Sequence, residues 1–177
     1  MKIIYLAGIN NSEPEHWRRL WYAKIGGVWV EHADWNHPKA SEWVSDLVRA
    51  IDANPGPKVF LAHSLGCLLT AQWALNYHDH QLAGAFLVAA PDPSGQAFPK
   101  TAEGFSSPLL GRPPFPTWLL ASQNDSYSTF EFSEKLAFHW NSRFIDVGEI
   151  GHINLKSNLG FWDEGWSYFQ EFLKKNA

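Results

Sequence analysis

Ser64, Asp125 and His152 are the residues whose types, order and surroundings could do chemistry. A serine hydroxyl is a poor nucleophile until a base takes its proton and a third group orients that base. Ser64 ends the apolar run 58–63, Lys-Val-Phe-Leu-Ala-His, and is followed by Gly66 and a helical pattern. That order predicts a nucleophile elbow, a tight strand-to-helix turn that lifts the hydroxyl above a sheet. Small residues are favoured two before and two after the serine, because backbones approach closely there. Gly66 fits, while Ala62 stands where glycine is more usual and adds one methyl. Leu65, at the helix start, would turn its N–H toward a developing oxyanion. A second donor is expected from the loop after the first strand, Gly8-Ile9-Asn10-Asn11, with Ile9 as first choice and Asn10 as the alternative.

Asp125 lies in Ala-Ser-Gln-Asn-Asp-Ser-Tyr, directly after the apolar run 117–121, and His152 follows the run ending at Val147. Serine, acid and histidine in that order, each after a later strand, is one of the arrangements in which such a triad occurs. Asp92, in Ala-Ala-Pro-Asp-Pro, is the alternative acid one strand earlier, although its proline neighbours predict a rigid turn. Asp146 falls inside a predicted strand and reads as structural, and His63 is expected to point away from the serine. Cys67 reads as a small buried hydrophobe. His78-Asp79-His80 has no HExxH-type surroundings and reads as the cationic end of a helix rather than a metal site. No phosphate-binding glycine pattern occurs, so neither a cofactor nor a metal is implied. Asn10, Trp35, Phe105, Phe115, Tyr127 and Trp162 are candidates for lining a substrate pocket, with core packing the competing role for each aromatic.

These residues need a scaffold, and the chain alternates short apolar runs with helical patterns throughout. Strands are predicted at Lys2–Ala7, Val28–Ala33, Lys58–His63, Ala83–Ala89, Thr117–Ala121 and Arg143–Val147. Several are apolar on both faces, which predicts parallel strands covered by helices. Ser12, Ser41 and Ser128 are expected helix caps, the first and last in capping boxes with Glu15 and Glu131. The expectation is one α/β domain over residues 1–177, a mostly parallel sheet of about six strands with helices on both faces. The irregular segment 91–116 is expected to form a partial lid near the C-terminal edge of the sheet.

Composition narrows the function classes. Hydrophobic residues make up 45% of the 177, enough for a sizeable core, and the ten Trp and twelve Phe add to it. A net charge of −4 with no basic run excludes a nucleic-acid surface. A single cysteine excludes an internal disulfide and a cysteine-built zinc site. No stretch approaches the roughly 20 apolar residues of a membrane span. The first apolar run is too short for a signal peptide, so a cytoplasmic protein is expected.

Further motifs run the length of the chain: Pro14-Glu15-His16-Trp17, Ala33-Asp34-Trp35, Ala62-His63-Ser64-Leu65-Gly66-Cys67, Ala121-Ser122-Gln123-Asn124-Asp125, Gly151-His152-Ile153-Asn154 and Gly160-Phe161-Trp162-Asp163-Glu164-Gly165. With these the chain resembles the retinoblastoma-binding-protein-9-like serine hydrolases, small α/β-hydrolases without a large cap domain. The resemblance implies a Ser64–His152–Asp125 triad and makes Ala62 an expected variant. Some animal relatives are tied to retinoblastoma protein through Leu-x-Cys-x-Glu. Here Leu65-Gly66-Cys67-Leu68-Leu69 lacks the glutamate, and that partner is not carried over. The expected activity is hydrolysis of a small ester, thioester or amide. Two other readings are a binding or scaffold protein with a vestigial triad, and an acyltransferase using the same residues.

Overall fold

Runs that are apolar at every position can be buried only in a sheet covered on both faces. The computed structural model, which describes residues 1–105 and 111–176, contains such a sheet. Its strands are β1 (Lys2–Leu6), β2 (Val28–Trp29), β3 (Lys58–His63), β4 (Leu82–Val88), β5 (Thr117–Ala121) and β6 (Arg143–Asp146). They lie in the order β2-β1-β3-β4-β5-β6, and every neighbouring pair is parallel. All residues of β3 and β5 are buried. The strand expected over 28–33 shortens most, with only Val28 and Trp29 in register with β1.

Among the described residues five α-helices, α1 (Trp17–Ile25), α2 (Ala40–Asp52), α3 (Leu65–Ala74), α4 (Phe130–Trp140) and α5 (Asp163–Asn176), supply the two outer layers. Trp17, Trp21, Phe169 and Phe172 bring α1 and α5 onto one face, in one core cluster. Trp43, Leu47, Leu68, Leu69 and Leu136 bring α2, α3 and α4 onto the other. The chain goes from β1 outward to β2, then back to β3 and on to β6. The crevice at the C-terminal ends of β1 and β3 is therefore the topological switch point, where ligands bind in open α/β sheets.

The expected caps are displaced. His16, not Ser12, caps α1, its Nδ1 accepting from Arg18 N at 3.3 Å, because a separate turn closed by His16 N to Glu13 O at 3.0 Å comes first. Helix α2 begins at Ala40, one residue before the expected cap Ser41, with Lys39 at its N-cap and no side-chain cap, and Ala40 N donates to Glu103 O at 2.9 Å. Thr129 rather than Ser128 caps α4, accepting from Phe132 N at 3.1 Å. Glu103 N also donates to Pro38 O at 2.9 Å, and Phe105 packs edge-on against Trp43. Residues 99–105 of the segment expected as a lid are thus sewn to the approach to α2. Residues 106–110 of that segment lie outside the described residues.

Close backbone approach fixes the elbow. A Cβ at Gly66 would fall 2.3 Å from Leu6 O, and one at Gly8 would fall 2.9 Å from Ser64 Cβ. Gly66→Ala is expected to destabilise the fold by roughly 1–3 kcal/mol, as overpacking does, read as a lower urea midpoint with an unchanged slope.

Three buried histidines make stability depend on pH. Burial pushes His16 down to about 2 and His63 well below the ordinary imidazole range. Burial also lowers His32, although its Nδ1 meets Asp46 Oδ2 at 2.7 Å and that contact opposes the shift. Each folded-state value lies below the unfolded one, so the unfolded chain binds more protons in acid. Their contribution is present above the unfolded value near 6.5 and is lost as pH falls below it, by up to about 1.4 kcal/mol per pH unit and imidazole. The urea midpoint should fall between pH 7.5 and pH 5, and His32→Gln should flatten that dependence.

Candidate active site

Ser64 occupies φ 55°, ψ −126° between β3 and α3. A non-glycine residue holds such a backbone only where its surroundings over-determine it. Here Ser64 N donates to Val88 O at 2.9 Å, and Ser64 O accepts from Cys67 N at 2.9 Å. The hydroxyl meets His152 Nε2 at 2.8 Å. His152 Nδ1 meets Asp125 Oδ1 and Oδ2 at 2.9 and 2.8 Å. Facing a carboxylate, Nδ1 carries the imidazole proton, which leaves Nε2 bare to accept from Ser64. All three groups are buried, and Asp125 Oδ1 also accepts from Tyr127 N at 2.8 Å. Such an arrangement can move a proton off the serine oxygen and hold the resulting imidazolium.

The loops that carry the acid and the base are tied together. Ser122 Oγ donates within 2.9 Å of both Asn124 Oδ1 and Gly148 O, and accepts from Ile150 N at 2.9 Å. Asn124 Oδ1 accepts from Gly151 N at 2.7 Å. Sequence reasoning gave Ser122 and Asn124 no role of their own, although their place in the Asp125 loop was a signal. His63 is the other omission. Its Nε2 donates to His152 O at 2.9 Å and so holds the backbone of the histidine loop. A histidine inside a wholly buried strand was the available signal.

The competing residues are engaged elsewhere. Asp92 accepts from Ser94 N at 2.8 Å and Ser94 Oγ at 2.7 Å, the turn its prolines predicted. Asp146 accepts from Gly148 N at 2.8 Å and Gln123 Nε2 at 2.6 Å. Cys67 is fully buried against Val88 O, and burial pushes its thiol up to about 12. His78 and His80 touch each other, while Asp79 pairs with the buried Lys58 Nζ at 2.5 Å. Among the described residues no group of three His, Cys, Asp or Glu is placed to hold a metal ion, and no helix is long and apolar enough to cross a membrane.

A cavity of about 310 Å³ opens beside Ser64 and His152, with Ile9, Asn10, Leu65 and Tyr127 in its wall. The Asn10 amide donates to Trp35 O at 2.9 Å, which leaves Ile9 as the available partner for Leu65 in an oxyanion site. Of the proposed pocket residues, the structure brings Asn10 and Tyr127 to this cavity, and the Tyr127 ring lies 4.4 Å from that of His152. The other four do not line it. Trp35 packs on His32 and Trp43, and Phe105 is buried against Trp43. Phe115 sits against Phe60 and Trp73, before β5 and so at the opposite edge of the sheet from Ser64. Trp162 is buried beside Trp17 and Trp21. In each case core packing outcompetes a place on the cavity wall, as large apolar area favours.

Residues 3–171 match the family model described as serine hydrolase. No curated protein matches the chain. Among solved structures, a YdeN-like protein of Pectobacterium atrosepticum is 26% identical with a TM-score of 0.84, covering 97% of this chain and 89% of that one. The ydeN gene product of B. subtilis is 20% identical with a TM-score of 0.76, over 96% of this chain and 100% of that one. A thermophilic esterase from Thermogutta terrifontis is 16% identical with a TM-score of 0.68, over 99% and 90%. The last two likenesses are of fold alone. The family match spans nearly every element that positions Ser64, and the Pectobacterium protein shares the fold over nearly the whole chain, so the chain belongs to the serine hydrolase family, among the small hydrolases of the α/β-hydrolase superfamily.

Proposed function

We propose that this hydrolase cleaves a small carboxylic ester, thioester or amide through an acyl-enzyme on Ser64. The unbroken line of hydrogen bonds from Ser64 Oγ through His152 to Asp125 carries this reading. His152 Nε2 takes the serine proton as Oγ attacks the carbonyl, and Asp125 stabilises the imidazolium. The amides of Leu65 and Ile9 stabilise the tetrahedral oxyanion. His152 then gives its proton to the leaving alcohol, thiol or amine, and the C–O, C–S or C–N bond breaks. Water, deprotonated by the same Nε2, releases the acyl group and restores Ser64. The size of the cavity supports a small substrate. No step requires a cofactor.

Ser64→Ala should abolish labelling by a fluorophosphonate probe and lower kcat on 4-nitrophenyl acetate by roughly 10⁴-fold or more. Equal labelling of wild type and variant would remove Ser64 as nucleophile. A ligand held without turnover or labelling would favour the scaffold reading instead. Asp125→Asn keeps the shape of the acid but reverses its hydrogen bonding with Nδ1. Its kcat should fall by roughly 10⁴-fold with KM little changed, measured on the same ester.

A further inference from the structure

Arg18 borders the cavity that holds Ser64, and among the described residues its guanidinium makes no ion pair. The residue is 1% exposed. Nη1 donates to Leu6 O at 3.0 Å and Nη2 to Ser12 Oγ at 2.6 Å, both uncharged acceptors. Nε is buried without a partner, and none of the ion pairs among the described residues includes Arg18. Trp17 and Trp29 lie 5.8 and 5.7 Å from the guanidinium carbon, which offsets only part of the lost hydration. Burial pushes Arg18 down to about 9, the neighbouring Arg19 lowers it further, and the Glu13 carboxylate offsets only part of this.

Next to it stands a second unmet donor. His16 Nδ1 accepts from Arg18 N, so the neutral ring carries its proton on Nε2, which is also buried without a partner. His16 borders the same cavity. Two adjacent buried donors left open are exceptions that need an explanation, since buried charges are otherwise paired. Of the remaining charged side chains in the wall, Lys156 adds a second cation, and Glu13 is the one carboxylate among the described lining residues. Both are exposed, at the rim.

We propose that this cavity takes substrates bearing a carboxylate, whose charge offsets the buried guanidinium of Arg18 in the cavity wall. The inference rests on the esterase reading above and narrows it to short, anionic acyl groups that fit about 310 Å³.

The test compares monomethyl succinate with methyl butyrate, followed by proton release. Wild type should favour the anionic ester by about tenfold or more in kcat/KM, the scale of one partly desolvated charge pair. Arg18→Gln should erase that preference, and Lys156→Gln, at the exposed rim, should narrow it about two- to threefold. A ratio of one or less in wild type, or one unchanged in Arg18→Gln, overturns the proposal. If Arg18→Gln does not fold, the wild-type ratio and the response of Lys156→Gln decide. Failure to cleave either ester, together with no fluorophosphonate labelling, would count against the esterase reading instead. The anion site is then judged on Ser64→Ala alone, whose melting temperature succinate should raise and the uncharged succinamide should not. Equal effects of the two would overturn it.

Discussion

The contact between the end of β1 and the first turn of α3 is the constraint on which the site depends. Leu6 O lies where a side chain on Gly66 would have to go, and Gly8 leaves no space for a side chain beside Ser64. The two segments meet as bare backbone, and that closeness presses Ser64 into its left-handed turn. The same Leu6 carbonyl accepts from Arg18, so one peptide unit anchors the elbow, the loop carrying Ile9 and the start of α1. Ala62 in place of glycine does no harm, because its methyl is absorbed in the core on the α2–α3 side while the tight approaches fall at Gly8 and Gly66. A rule about small residues around the serine thus resolves into particular distances, and only some of the positions carry it.

A second layer of constraint holds the histidine. The Asp125 loop and the His152 loop follow different strands, yet Ser122 and Asn124 join them through three backbone groups, and His63 grips His152 from beneath. Satisfied polar networks of this kind rigidify what they connect. The imidazole is held from its Nδ1, from its own carbonyl and by the Tyr127 ring, which leaves Nε2 facing the serine. The geometry proposed for proton transfer is therefore present before any substrate arrives.

Much of this was legible in the residues because strand burial and strand-end chemistry are local. Six apolar runs gave six parallel strands, and Ser64, Asp125 and His152 each followed one, so their convergence needed only the sheet. What was not legible depended on distant partners. Ser12 and Ser41 have the chemistry of caps, but a preceding turn and the Glu103 backbone decide where α1 and α2 begin. Trp35, Phe105, Phe115 and Trp162 could serve a pocket or a core equally well by type. Which role an aromatic takes is settled by neighbours far along the chain, such as Trp43 for Phe105 and Trp17 for Trp162. His63 and Arg18 were hidden for the same reason, since a polar residue within an apolar segment does not announce which backbone atom it will find.

The stitching of residues 99–105 to the approach to α2 bears on how this enzyme chooses among substrates. Glu103 is bonded in both directions, to Pro38 and to Ala40, and Phe105 is wedged under Trp43. Residues 99–105 are braced against the α2 side of the sheet, and Pro99 carries that bracing to the wall of the cavity. A molecule that enters past Pro99 meets a wall whose shape and polarity were set when the chain folded, as a casting meets its mould.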